Sequence, residues 1–157
     1  MGGIAQIGDQ DVAALIERMA EAAAAFIQGD MRRYAQLVRH ADDFTLMAPS
    51  GGEPRRGFDG SDEALDALSR YFHGGEAKFE VFETYASEDL VVLVAIERQR
   101  GMVGDLAEQD LSLRLTLVFR RAGSEWQLVH RHADPLVHEI SEAQLGALAR
   151  GDAGATQ

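Results

Sequence analysis

The sequence predicts an α+β domain, three helices lying on one face of a curved, mostly antiparallel sheet. Two patterns carry that prediction. Apolar residues recur at helical spacing up to Gly74-Gly75, and at period two from Lys78 onward. The 157 residues, 46% hydrophobic and 26% charged, suit one domain with a real core. No internal repeat or linker divides them, so residues 1–157 are read as a single domain, with its core over about 9–138 and a short tail helix over about 141–150.

Asp9 is a suitable N-cap for a first helix running to about Gln28, with Val12, Leu15, Ile16, Met19, Ala22, Ala23, Phe26 and Ile27 as its apolar stripe. Gly29-Asp30 breaks it. Met31 to about His40 forms a second, short helix with Tyr34, Leu37 and Val38 on one side. Asp42-Asp43 ends that helix, Phe44 to Ala48 forms a short strand, and Pro49 to Gly57 forms a loop. Ser61 caps a third helix that buries Leu65, Leu68 and Phe72 and stops at Gly74-Gly75. Strands follow over about Lys78–Tyr85 and Leu90–Arg100, with a turn at Gly101–Asp105.

The longest strand signal is Leu111 to Asp134. Leu111, Leu113, Leu115, Leu117 and Phe119 alternate with Ser112, Arg114, Thr116, Val118 and Arg120. Ala122-Gly123-Ser124 makes a turn, after which Trp126, Leu128, His130 and His132 share one face and Gln127, Val129 and Arg131 the other. Ser141-Glu142-Ala143-Gln144 is a capping-box pattern for the tail helix, and Gly151 to Gln157 is expected to fray.

Composition narrows the function classes. A net charge of −11 argues against a nucleic-acid partner. Without Cys there is no disulfide, thiolate nucleophile or Cys-ligated metal. No apolar run reaches the roughly 18 residues of a membrane span, and MGGIAQIGD has neither signal-peptide nor myristoylation features. The expectation is a cytoplasmic protein without a membrane partner.

The helix, Gly29-Asp30, helix, Ala41-Asp42-Asp43-Phe44-Thr45 series, the Pro49 to Gly57 loop, and Arg114-Leu115-Thr116 followed by Gly123, Trp126, Leu128-Val129-His130 and His132 together resemble the nuclear-transport-factor-2 superfamily. The last piece is similar to its SnoaL-like branch and to the hub domain of calmodulin-dependent kinases. The resemblance covers about Asp11 to His138 and implies a cone-shaped fold. It also allows a test against the ketosteroid isomerases of that superfamily. Their general base falls at Ala48, their oxyanion-hole Tyr at Ala22 and their protonated carboxylic acid near Leu117, so the resemblance implies negligible steroid isomerase activity. The Asp-Arg-Asp set of epoxide hydrolases would find only Arg98 and Asp110 here.

Pairing the two strands about Gly104 sets Arg98 opposite Asp110, Val94 opposite Arg114 and Val92 opposite Thr116. One face is then wholly apolar (Val91, Leu93, Ala95 and the leucines) and is expected in a dimer interface. The other carries Arg98, Arg114 and Thr116 among Val92, Val94 and Ile96, and is expected to line a small-molecule pocket. The opposite assignment has the leucine face packing on the helices and the arginines in solvent; a one-residue slip of register exchanges the two.

The candidate pocket residues are Arg98, Arg114, Thr116, Trp126, His130, His132 and Tyr34, the return strand contributing His130 and His132, or else Val129 and Arg131, to the wall, with Arg114 expected to be partly buried against Asp134, Asp43 or a bound anion. Arg114→Leu is accordingly expected to change ligand binding more than stability. His130-x-His132 with Asp134 or His138 offers incomplete metal spacing, so no metal and no cofactor is assigned. The expected function is binding of a small, largely apolar organic ligand by a homodimer. The alternatives are a cyclase-, isomerase- or hydratase-type enzyme using a pocket His or Asp, and a purely structural dimerisation module.

Overall fold

The computed structural model describes residues 2–152. Four helices, α1 (Gly2–Ile27), α2 (Met31–Leu37), α3 (Asp62–Tyr71) and α4 (Glu142–Arg150), accompany seven strands. The strands are β1 (His40–Met47), β2 (Arg55–Arg56), β3 (Phe72–Ala86), β4 (Leu90–Val103), β5 (Gln109–Asp110), β6 (Leu113–Ala122) and β7 (Glu125–Asp134). They form one curved, unclosed sheet in the order β2-β1-β7-β6-β4-β3, with β5 paired to β4. Every pairing is antiparallel except β1 with β7.

The helix caps follow the local chemistry. The Asp30 side chain accepts from the Arg33 N–H at the start of α2, and Ser61 accepts from the Ala64 N–H at the start of α3. Ser141 and Gln144 close a reciprocal capping box on α4, and Gly151 ends it in the left-handed conformation. Several boundaries differ from expectation. α2 stops at Leu37 and β1 begins at His40, so Asp42-Asp43 lies within a strand and does not end a helix, β3 begins at Phe72 instead of Lys78, and β4 runs to Val103 through the expected turn at Gly101. The first helix begins at Gly2, so Asp9 lies inside it and is not its cap. The third ends at Tyr71, and Gly74-Gly75 belongs to β3.

That last difference has a packing reason. Gly75 pairs with Gly101 across β3 and β4, and Ile27 at the end of α1 rests on the bare pair. A Cβ on Gly101 would sit 2.7 Å from Ile27 Cγ1, so side chains there would lift the helix off the sheet. Gly29 has a related role at the α1–α2 break. It has φ 81°, and a Cβ on it would strike the Phe72 carbonyl oxygen. The expected tail fraying lies, beyond Asp152, outside the described residues.

The β4–β6 register sets Ile96 opposite Arg114, Val94 opposite Thr116 and, through β5, Arg100 opposite Asp110. It is displaced by two residues from the pairing about Gly104, because β4 continues through Gly101 to Val103. A two-residue shift preserves side-chain parity, so the face groupings survive. Their roles do not. Val91, Leu93, Ala95, Leu115, Leu117 and Phe119 are all buried in the core with Leu15, Met19 and Ala22 of α1. The leucine face is therefore the covered one. A 26-residue amphipathic helix shields it, and the alanines on the inner stripe let the helix approach closely.

The second correction lies in β7. Phe119 pairs with Leu128 and Val118 with His130, leaving Val129 as an extra residue in a β-bulge. The bulge reverses parity. Trp126 and Leu128 stay with the core, whereas His130, His132 and Asp134 pair with outer-face residues of β6, and Arg131 and Ala133 turn inward.

Candidate functional site

By reversing parity, the bulge delivers Arg131 to the helix side of the sheet. Glu97 reaches the same region from β4, continuing the buried face of Val91, Leu93 and Ala95. Arg131 Nη2 donates to Glu97 Oε2 at 3.1 Å. Glu97 is 5% exposed and the Arg131 side chain 22%, so the pair is largely withdrawn from water. Burial opposes the charge on Arg131, but the carboxylate beside it, with Tyr34, holds the guanidinium pKa above its ordinary value.

Two further polar groups complete the cluster. Tyr34 from α2 is buried, and its hydroxyl lies 3.4 Å from His40 Nε2 at the start of β1. Burial pushes the phenol up to about 12, with Arg131 opposing and Glu97 reinforcing the shift. Burial, reinforced by Arg131, pushes His40 down to about 4. At neutral pH both are therefore uncharged, and the geometry suits donation from the phenol O–H to an unprotonated Nε2.

Aromatic rings wall these groups. His40 stacks on Phe58 at 3.9 Å with 6° between the planes and meets Phe44 edge-on at 4.7 Å. Phe26 meets Tyr34 edge-on at 5.0 Å. Leu46, Phe79 and Leu113 border the core and are only partly buried, as are His40 and Phe58. Chemically, the cluster offers one ion pair and a neutral donor–acceptor pair inside an apolar wall.

Of the candidate residues, only Tyr34 joins this cluster. Trp126 lies on the helix side at the other end of β7, its ring under the Arg121 guanidinium at 4.4 Å. Trp126 also lines a hollow of about 760 Å³ with Asp9, Val12, Ser87 and Val91. None of Tyr34, His40, Glu97 or Arg131 lines that hollow, and Arg121 within it is already engaged by Asp11 at 2.9 Å and the Glu88 carbonyl at 2.9 Å. The distinctive chemistry therefore sits outside the roomier hollow.

The remaining candidates occupy the outer face, which corrects their expected grouping in one cavity wall with Trp126. Arg114 does find the expected partner, donating from Nε and Nη2 to both oxygens of Asp134 at 2.8 and 3.0 Å, but its side chain is 53% exposed and not enclosed. These hydrogen bonds from Arg114 also hold the Asp134 carboxyl below the usual carboxylate range. Arg98 donates to Glu80 at 3.2 Å, Thr116 is exposed, and His130 Nδ1 lies 2.8 Å from Thr45 Oγ1. The His130 and His132 ring centroids are 6.5 Å apart, and among the described residues no three His, Asp or Glu side chains are placed to hold a metal. Asp43 pairs with Arg120 on the surface, not with Arg114.

A SnoaL-like domain model matches residues 12–137. The chain belongs to the SnoaL-like domain family. No curated protein matches the chain. Among solved structures it is similar to a proposed dehydratase of the nuclear-transport-factor-2-like family from Streptomyces avermitilis, at TM-score 0.62 and 16% identity, covering 82% of this chain and 96% of the other. A nuclear-transport-factor-2-like superfamily protein from Salmonella enterica matches at TM-score 0.63 and 14% identity, covering 85% and 94%. A proposed calcium/calmodulin-dependent protein kinase II association domain from Xanthomonas campestris matches at TM-score 0.59 and 16% identity, covering 83% and 88%. At these identities the likeness establishes the cone fold of this SnoaL-like chain, not its chemistry. Among the described residues no helix is long and apolar enough to cross a membrane.

Glu97 and His40 were not among the sequence-derived candidates, and Arg131 entered only as the alternative to the His pair on the return strand. Glu97 had a signal: it continues the alternating apolar face Val91-Leu93-Ala95, and a charge in that position calls for a buried partner. Arg131 had none without the bulge.

Arg131→Leu strands the Glu97 carboxylate and is expected to cost about 3–5 kcal/mol in urea unfolding. Arg114→Leu, at a half-exposed pair, is expected to stay within about 1 kcal/mol. Similar losses for both would refute the assignment of the two faces.

His40 provides a pH test. Its folded pKa lies below the ordinary 6.5, so its contribution to stability is full above 6.5. It is then lost at about 1.4 kcal/mol per pH unit as pH falls toward about 4, because the unfolded chain takes up the proton first. Unfolding curves between pH 7 and 4 should be less steep in pH for His40→Phe than for the native protein; equal slopes would contradict a buried neutral His40.

Proposed function

We propose that this SnoaL-like domain binds a small, largely apolar organic molecule at the Arg131–Glu97–Tyr34–His40 cluster. The observation that carries this reading is the single-point ion pair. Only Nη2 and Oε2 are engaged with each other, and among the described residues Arg131 Nε and Nη1 and Glu97 Oε1 have no hydrogen-bond partner. Among the described residues no fully buried side-chain nitrogen or oxygen lacks a partner, so these three atoms keep some contact with solvent. Unused hydrogen-bonding capacity beside Phe58, Phe79 and Leu113 is the combination that orients a greasy ligand.

A second reading has one observation behind it. The Tyr34 hydroxyl lies 3.4 Å from His40 Nε2 and so offers a proton donor beside an acceptor, each weak at neutral pH with pKa values of about 12 and about 4, and the similar Streptomyces protein is a proposed dehydratase. Ala22 and Leu117 are buried and apolar, so an isomerase-type oxyanion hole is not part of this reading.

We also propose a homodimer through the outer sheet face, the face opposite to the one anticipated. Tyr85, Leu90 and Met47 are exposed there, Phe82 at the β3 register shift is 84% exposed, and Val92, Val94, Ile96 and Val118 on that face are half-buried. Ion pairs Arg98–Glu80, Arg114–Asp134 and Arg120–Asp43 lie on the same face.

Ligand-observed NMR at pH 7 with monocyclic aromatic alcohols, ketones and amides tests the binding reading. Binders are expected at millimolar concentration or below, with the signal reduced at least fivefold in Phe58→Ala, or in Arg131→Met if that variant folds. No binder in the set, or binding indifferent to both substitutions, would remove the reading.

For the assembly, sedimentation at micromolar concentration is expected to give a dimer, and Val94→Glu a monomer. A monomeric native protein would count against the proposed interface.

A further inference from the structure

The cluster at which ligand binding is proposed carries one positive and one negative charge and nothing else. The charges acting on Tyr34 are those of Arg131 and Glu97, and Arg131 is the charge acting on His40. Both rings are neutral at pH 7, so the site as a whole is uncharged. Its two unsatisfied functions have opposite character. Arg131 Nε and Nη1 can only donate, and Glu97 Oε1 can only accept. They belong to two groups already in contact, which keeps them within a few ångströms of each other. Nη1 shares its guanidinium carbon with the Nη2 that holds Glu97, and Oε1 shares its carboxylate carbon with the Oε2 that is held.

A ligand filling both positions needs an acceptor and a donor on neighbouring atoms. A carboxylate supplies two acceptors, so one of its oxygens would face Glu97 Oε1, and it would bring a second negative charge into a largely desolvated site. An amine would place a cation against Arg131. A primary carboxamide presents a carbonyl oxygen to the guanidinium and an N–H to the carboxylate, and adds no net charge.

We infer that the Arg131–Glu97 pair selects neutral ligands bearing an adjacent acceptor and donor, carboxamides and enolised β-dicarbonyls, attached to an apolar or aromatic body, and rejects carboxylates. This rests on the reading of the cluster as a binding site. It narrows that reading from greasy molecules in general to one polar head group.

Benzamide and benzoate, which have nearly the same shape, separate the two claims. Dissociation constants would be measured at pH 7 on the full chain by NMR titration, with shifts at His40 and Phe58 reporting the location. Benzamide is expected to bind at least tenfold more tightly than benzoate. Because the chain has a net charge of −11 and repels any anion, the native comparison is paired with Glu97→Gln, which changes that total by a single charge but replaces Oε1 by an acceptor or a donor amide. In Glu97→Gln the preference for benzamide is expected to fall at least tenfold, to parity or reversal.

An unchanged preference in Glu97→Gln would assign the discrimination to overall charge and overturn the inference. Native binding of benzoate as tight as that of benzamide would do the same, and it decides alone if the variant does not fold. Binding of neither probe near His40 and Phe58 would overturn the site reading, and this inference with it.

Discussion

Glu97 carries a carboxylate on the sheet face it shares with Val91, Leu93 and Ala95, where little water reaches to solvate it. Such a group requires a cation at hydrogen-bonding distance, and the sequence around it offers none on the same strand face. The cation comes from β7, two strands away, and only because Val129 is inserted as a bulge. Without that extra residue the strand would present His130 and His132 to the core and turn Arg131 to solvent. The ion pair and the bulge therefore specify one another, and together they fix which end of the sheet is polar inside. The neutral state of His40 and the high pKa of Tyr34 follow, since both groups share the low-dielectric region the pair occupies.

Much of the architecture was legible in the sequence, because most of it depends on period and on local chemistry. The α1 stripe, the caps at Ser61 and Ser141, the Gly29-Asp30 break and the alternation through Leu111–Phe119 each declare themselves within a few residues. The choice of covered face was not of that kind. Both faces of β4 and β6 read as apolar, and only the length of α1 and the small side chains along its inner stripe decide which one the helix covers. A β-bulge is harder still. Trp126, Leu128, His130 and His132 keep perfect alternation on paper, and nothing in Val129 marks it as the extra residue. Beyond that point parity separates His130 and His132 from Trp126 and leaves them on the outer face with Arg114 and Thr116.

The two faces have different energetic roles. Arg114–Asp134 is bidentate and well aligned, yet it stands in water, where solvation offsets most of the attraction. Arg131–Glu97 has a single contact at 3.1 Å, which by geometry alone is the poorer bond. Its consequences are larger because loss of either partner strands a charge where solvent cannot compensate it. A buried pair is thus a poor source of stability and a strong constraint on composition at its two positions.

The incompleteness of that pair is the point at which structure turns toward function. A purely structural ion pair in an apolar setting gains by closing both ends of the fork, since every unused donor or acceptor withdrawn from bulk water carries a desolvation cost. Here, among the described residues, Nε, Nη1 and Oε1 take no protein partner and keep some contact with solvent. The same cone fold is found in a proposed dehydratase and in a proposed kinase association domain, so the fold does not choose between chemistry and assembly. What distinguishes this chain is local. Aromatic rings pack against Tyr34 and His40, and the ion pair leaves donors on Arg131 and an acceptor on Glu97 without a protein partner among the described residues. That arrangement constrains the head group of a bound molecule far more than its body, which needs only to be apolar.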